Sequence, residues 1–190
     1  MKKNLRNILV LAMGLMTTVS FAQDWNVDSR TRIDMSGDND KMSTDQRATV
    51  GATWGGSDWG IHVSSDVNYT LGGDAASMGI YEAYASTDLM GFASLTAGRQ
   101  AINNGSGALM SGNDWGASRT TWDGMSFGLN LDMADITLGY HSQKTDDATS
   151  EASGNMYVNA SGEFSGWNVN VLYMTDEAQD DAATGIDISG

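Results

Sequence analysis

The chain has 190 residues, 23 glycines, no proline and no cysteine, with 24 acids against 10 bases and 41% apolar residues. That composition excludes a disulfide scaffold, a zinc-cysteine site and a basic nucleic-acid binder. Past the first residues there is no long apolar run, which excludes a polytopic helical membrane protein as well.

The first 22 residues read as a separate element. Met1-Lys2-Lys3-Asn4-Leu5-Arg6 is a basic start, Ile8 to Thr17 is a short apolar stretch, and Ser20-Phe21-Ala22 supplies the small residues a signal peptidase needs. A secretory signal cut after Ala22 is therefore expected, since the apolar stretch is too short to span a bilayer as a helix. Its removal leaves residues 23–190 with 7 bases against 24 acids, a net charge of about −17. So acidic a surface repels nucleic acid and suits a saline medium or divalent counter-ions. Export without cysteine fits a bacterial envelope protein held together by hydrogen-bonded sheet.

From Trp25 onward the spacing has period two, that of strands whose faces meet different surroundings. In the first strand Val27, Ser29, Thr31, Ile33 and Met35 alternate with a charged set, Asp28, Arg30, Arg32 and Asp34. The second sets Ala48, Val50, Ala52 and Trp54 against Arg47, Thr49, Gly51 and Thr53. The third sets Trp59, Ile61, Val63, Val67 and Tyr69 against His62, Ser64, Asp66 and Asn68. Further strands are expected at 79–86, 92–100, 125–131, 136–142, 155–164 and 167–174, and Gly185-Ile186-Asp187-Ile188 starts a tenth.

The connections alternate in length. Short turns at 55–58, 87–90, 132–135 and 165–166 lie between longer, acidic or Gly/Ser-rich links at 36–45, 70–78, 101–121, 143–154 and 175–184. Short turns at one end and long loops at the other are the pattern of an outer-membrane barrel. Trp54, Trp59, Tyr69, Trp122, Trp167 and Tyr173, near strand ends, suit its interfacial girdles. The expected fold is thus all-β, an antiparallel transmembrane β-barrel. The competing fold, a secreted β-sandwich with one wet face per sheet, gives no reason for that alternation of connections. An odd strand count and a sequence ending inside a new strand make residues 23–190 the expected N-terminal part, nine to ten strands, of a larger barrel. A complete eight-stranded barrel is the alternative, and it must explain away one strand and the long 101–121 connection.

That connection is the third on the long-loop side, and a long loop without secondary structure is usually functional. Around it stand Gly98-Arg99-Gln100, Gly105-Ser106-Gly107, Leu109-Met110, Asp114-Trp115, Arg119 and Asp123-Gly124. Arg99 and Arg119 are candidate constriction residues, with Asp114 and Asp123 as their intramolecular partners. Arg99 shares parity with Leu95 and Ala97, so a bulge at Gly98 or a place beyond the membrane edge is needed to aim it at the lumen. The bland alternative for Arg30, Arg32, Arg47, Arg99 and Arg119 is that they neutralise luminal acids such as Asp28, Asp34 and Asp66.

The segment Tyr81-Glu82-Ala83-Tyr84, Gly98-Arg99-Gln100, Gly105, Leu109, Asp114-Trp115, Arg119 and Asp123-Gly124 resembles the alginate-export-like porins of Gram-negative outer membranes. Some 44 residues, Tyr81 to Gly124, carry the likeness. It implies a large monomeric barrel of about eighteen strands, in contact with outer-membrane lipid. It further implies passage of an anionic oligosaccharide or other small polar solutes past arginines at a constriction, for which Arg99, Gln100, Asp114, Arg119 and Asp123 are the candidates. The polar parity of their strands, and not the resemblance, puts Asp28, Arg30, Arg32, Asp34 and Arg47 on the lumen wall. The functional alternative is a small barrel or secreted β module acting in adhesion or cation binding.

No catalytic residue, metal or cofactor is expected. Gly124-Met125-Ser126-Phe127-Gly128 matches Gly-x-Ser-x-Gly, but alternation runs straight through it where the motif needs a strand-to-helix elbow. His62 and His141 have luminal parity and no neighbouring carboxylate in sequence to build a metal site. Asp38-Asn39-Asp40 and Asp176-Glu177 with Asp180-Asp181 lack calcium-loop spacing and read as solvated loop charge.

Overall fold

The structure is a computed structural model that describes residues 23–35, 42–114, 119–143, 154–176 and 183–190. The expected signal segment, the acids at 38–40 and 177–181, Lys41, Lys144 and Trp115 lie outside the described residues.

Ten strands follow one another: β1 Gln23–Asp34, β2 Ser43–Gly55, β3 Trp59–Thr70, β4 Ala76–Leu89, β5 Ala93–Gln100, β6 Trp122–Leu131, β7 Ala134–Gln143, β8 Gly154–Phe164, β9 Trp167–Asp176 and β10 Ala183–Ser189. Each pairs antiparallel with its neighbours in sequence, giving a single ten-stranded sheet in the order β1 to β10. All ten fall where period two places them, several being longer than the alternation suggests. β2 begins at Ser43 and β6 at Trp122, because ladder pairing continues where side-chain alternation has lapsed.

The sheet is open, with β1 and β10 as its edges, and it is strongly curved. Ser106 bonds to Asp187 of β10, and the carbonyl of Asp114 accepts from Arg30 of β1. The eight Cα-to-Cα steps from Ser106 to Asp114 reach at most about 28 Å. Ten strands laid flat would be about 43 Å wide. One short segment can touch both edges only if the sheet wraps around it.

The two faces invert the usual order of a water-soluble protein. The outer face carries Val27, Ile61, Met125, Val158 and Ile188 exposed, with Val27 and Ile188 each 71% accessible. The inner face buries Arg47, Asp66, His141, Asn155 and Asp187. The apolar side of the sheet faces out and the polar side encloses the loop.

Two local features set the inner face. Between β3 and β4 the register shifts, Ser64 pairing with Glu82 and Ser65 with Ile80. Tyr81 is the extra residue of this bulge, so Tyr81 and Glu82 can both aim inward. On β5, Gly98 has φ +129°, and a Cβ there would lie 2.3 Å from the carbonyl oxygen of Ala83. Gly98→Ala should therefore lower unfolding stability in detergent by about 1–3 kcal/mol, read from denaturant melts. An unchanged midpoint would show that β4 and β5 separate there without cost.

Candidate functional site

The site is the loop 101–121 together with the inner wall that holds it. Glu82 Oε1 accepts the Ala101 N–H at 3.2 Å, which turns the chain inward as it leaves β5. The far arm of the loop returns through Arg119 and Thr120 to β6.

On the β1–β4 side the contacts are polar. Arg30 and Arg47 stand directly opposite each other across β1 and β2. Like charges in that position repel. Both guanidinium groups donate to the backbone carbonyl of Asp114, Arg47 Nη2 at 3.1 Å. Arg119 reaches β3, where its Nε donates to Asp66 Oδ2 at 3.0 Å and its Nη2 donates to Asp66 Oδ1 and, at 2.8 Å, to Thr49 Oγ1. Thr49 in turn donates to Asp66 Oδ1 at 2.6 Å. The guanidinium carbon of Arg119 lies 3.2 Å from the centroid of the Tyr81 ring, a cation–π contact. The Tyr81 hydroxyl donates to Asp114 Oδ1 at 3.3 Å. Three arginines thus converge where the loop crosses this wall. Beside them a cavity of about 400 Å³ is lined by Arg30, Arg32, Asp45, Arg47 and Asn68. The Nε of Arg47 is buried without a hydrogen-bond partner among the described residues.

On the β8–β10 side the contacts are partly apolar. Met110 is fully buried and packs with Trp122, Tyr157 and Leu172, flanked by Ile102, Leu109 and Met174. Below this cluster the Gln100 side-chain amide meets His141 Nε2 at 3.3 Å, and His141 stacks on Tyr157. His62 sits between Thr53, at 2.8 Å, and Glu82 Oε2, at 3.5 Å.

The expected site residues are thus only partly brought together. Gln100, Asp114 and Arg119 lie on the inner face, with Arg30 and Arg47. Arg99 does not join them. Its guanidinium makes two bonds of 2.7 Å to Asp123, its direct partner across β5 and β6, on the face of Leu95 and Met125. Gly98 makes no bulge in the β5 ladder, so strict alternation sends Arg99 and Asp123 outward and Gln100 and Trp122 inward. The expectation that Arg99 and Asp123 line the constriction is corrected accordingly. Two further corrections follow from the same geometry. The partner of Arg119 is Asp66, in place of Asp114 or Asp123. Trp122, expected in an interfacial girdle, is 3% exposed under Met110. Trp59, Tyr69, Trp167 and Tyr173 are exposed near strand ends. Arg32 stands opposite Asp45 and lines the cavity. Asp28 stands opposite Thr49, and Asp34 opposite Ser43 at the end of β1. The Gly-x-Ser-x-Gly match lies wholly inside β6, with no elbow.

Tyr81, Thr49, Glu82 and Asp187 hold the loop and were not among the expected site residues. Asp187 had a legible signal, a lone acid between Ile186 and Ile188 on the inward parity. Tyr81 had none, because the bulge changes its face.

No model of a known protein family matches this chain, and no curated protein matches it.

Proposed function

We propose that the chain forms wall and constriction of an outer-membrane pore, one that admits small polar or anionic solutes past Arg30, Arg47 and Arg119. The observation that carries this reading is the inverted polarity of the sheet around an inward-folded loop. An apolar exterior suits lipid, and ladders running from β1 to β10 pair the backbone of the described strands, apart from the bulge at Tyr81 and the two edges. Joining those two edges, directly or through further strands, is what closing the wall requires. The resemblance over Tyr81–Gly124 to alginate-export-like porins points the same way and adds carbohydrate as a solute class. In this reading residues 1–22 direct export and are removed.

The test is reconstitution of the full-length protein. Planar bilayers should show stepwise conductance, and liposomes should swell with neutral sugars at rates that fall with sugar size. A folded, heat-modifiable protein that gives neither would replace the pore with a plugged barrel or a surface module.

A further inference from the structure

The loop is held at both sides of the lumen, and the two holds differ in kind. On the β1–β3 side it meets a network of arginines. On the β10 side its polar hold is one carboxylate. Asp187 Oδ2 accepts from the Ser106 backbone N–H at 2.9 Å and from the Ser106 hydroxyl at 2.7 Å. Asp187 is itself 8% exposed, so these charge-assisted bonds are shielded from water. The backbone beside it is shaped for that approach. Gly105 has φ +60°, and a Cβ on it would stand 2.8 Å from Asp187 Oδ2 and 2.9 Å from Asn170 Oδ1. Next to this contact Leu109 lies on Gly185 of β10, where a Cβ would come within 2.8 Å of the leucine methyl groups. Met110 then fills the space over Leu172 and Tyr157.

We infer that Asp187 is the positioning residue that latches the loop to β10. The latch seals the β8–β10 half of the lumen with Leu109 and Met110 and leaves the arginine-lined half as the path for solutes. The inference rests on the pore reading for its consequence and on the Ser106–Asp187 contact for its substance. It makes the cross-section of the pore depend on a residue that touches no solute. With the latch open, the segment 102–114 keeps its arginine end and the apolar seating of Leu109 and Met110, and the sealed half becomes accessible in a larger share of molecules.

Two variants break the latch by different routes. Asp187→Ala removes the acceptor, and Gly105→Ala keeps every charge but places a methyl group against the carboxylate. Losing two hydrogen bonds to a charged group should raise the undocked population of the loop by a factor on the order of a hundred or more. Protease cleavage within 102–114 should rise by the same factor, since cleavage tracks the open population when closing is fast. Single-channel conductance should rise in both variants. Glu163→Ala, which removes an exposed acid at the far end of β8, should change neither. A loop that stays protected in both variants would overturn the latch, whatever the conductance does. If cleavage rises while even the wild-type protein conducts nothing, the latch stands and the pore reading fails.

Discussion

Replacing Arg119 by methionine should cost about 3–5 kcal/mol of stability, the largest loss expected from any one substitution at the site. The magnitude follows from what is left behind. The side chains of Arg119 and Asp66 are 9% and 12% exposed, so solvent would do little for an Asp66 carboxylate deprived of its partner. Thr49 and Tyr81 lose their contacts with the guanidinium in the same step. Tryptophan fluorescence during denaturant unfolding in micelles measures the loss. Adding Asp66→Asn should recover most of it, because the uncompensated charge goes with the carboxylate while Thr49 keeps an acceptor. If the double variant is as unstable as the single one, the cost lies in packing against Tyr81, and the ion pair is not what fixes the loop's return arm.

The second large effect concerns ions. Each guanidinium on the path attracts a passing anion by about 1 kcal/mol at 4 Å even with the dielectric of water. Removing both Arg30 and Arg47 should therefore lower the anion-over-cation permeability ratio on the order of tenfold, read as a reversal-potential shift in a salt gradient. Arg99→Ala should leave the reversal potential where it was, since Arg99 is bound to Asp123 on the outer face. The contrast is sharper than either result alone. An effect of Arg99→Ala as large as that of the double variant would mean that net charge sets selectivity and that placement at the loop does not. The acids of the long links between strands, screened within about 8–10 Å in physiological salt, should contribute little.

These expectations differ from those that parity and motif alone suggest, and the differences have a common cause. Alternation along Val27–Met35, Trp59–Tyr69 and Phe92–Gln100 was enough to locate ten strands, because a wall with unlike surroundings on its two sides imposes period two on every segment. It was also enough to set Arg99 apart, through its parity with Leu95 and Ala97. The length and glycine content of 101–121 single that loop out, and the structure folds it against the inner wall. All of these are local properties, written in residues a few positions apart.

What only the tertiary structure decided is which distant residues meet. Arg30 faces Arg47 because of the β1–β2 register, and the carbonyl of Asp114 lies between them because the sheet curls round the loop. Arg119 finds Asp66 across 53 positions of sequence, and Ser106 finds Asp187 across 81. One extra residue in the β4 ladder turns Tyr81 inward, and strict alternation past Gln100 buries Trp122. Strand spacing limits which faces residues occupy, but register, curvature and bulges select the contacts within a face. Those depend on pairing energies summed over the whole sheet, which no single segment carries.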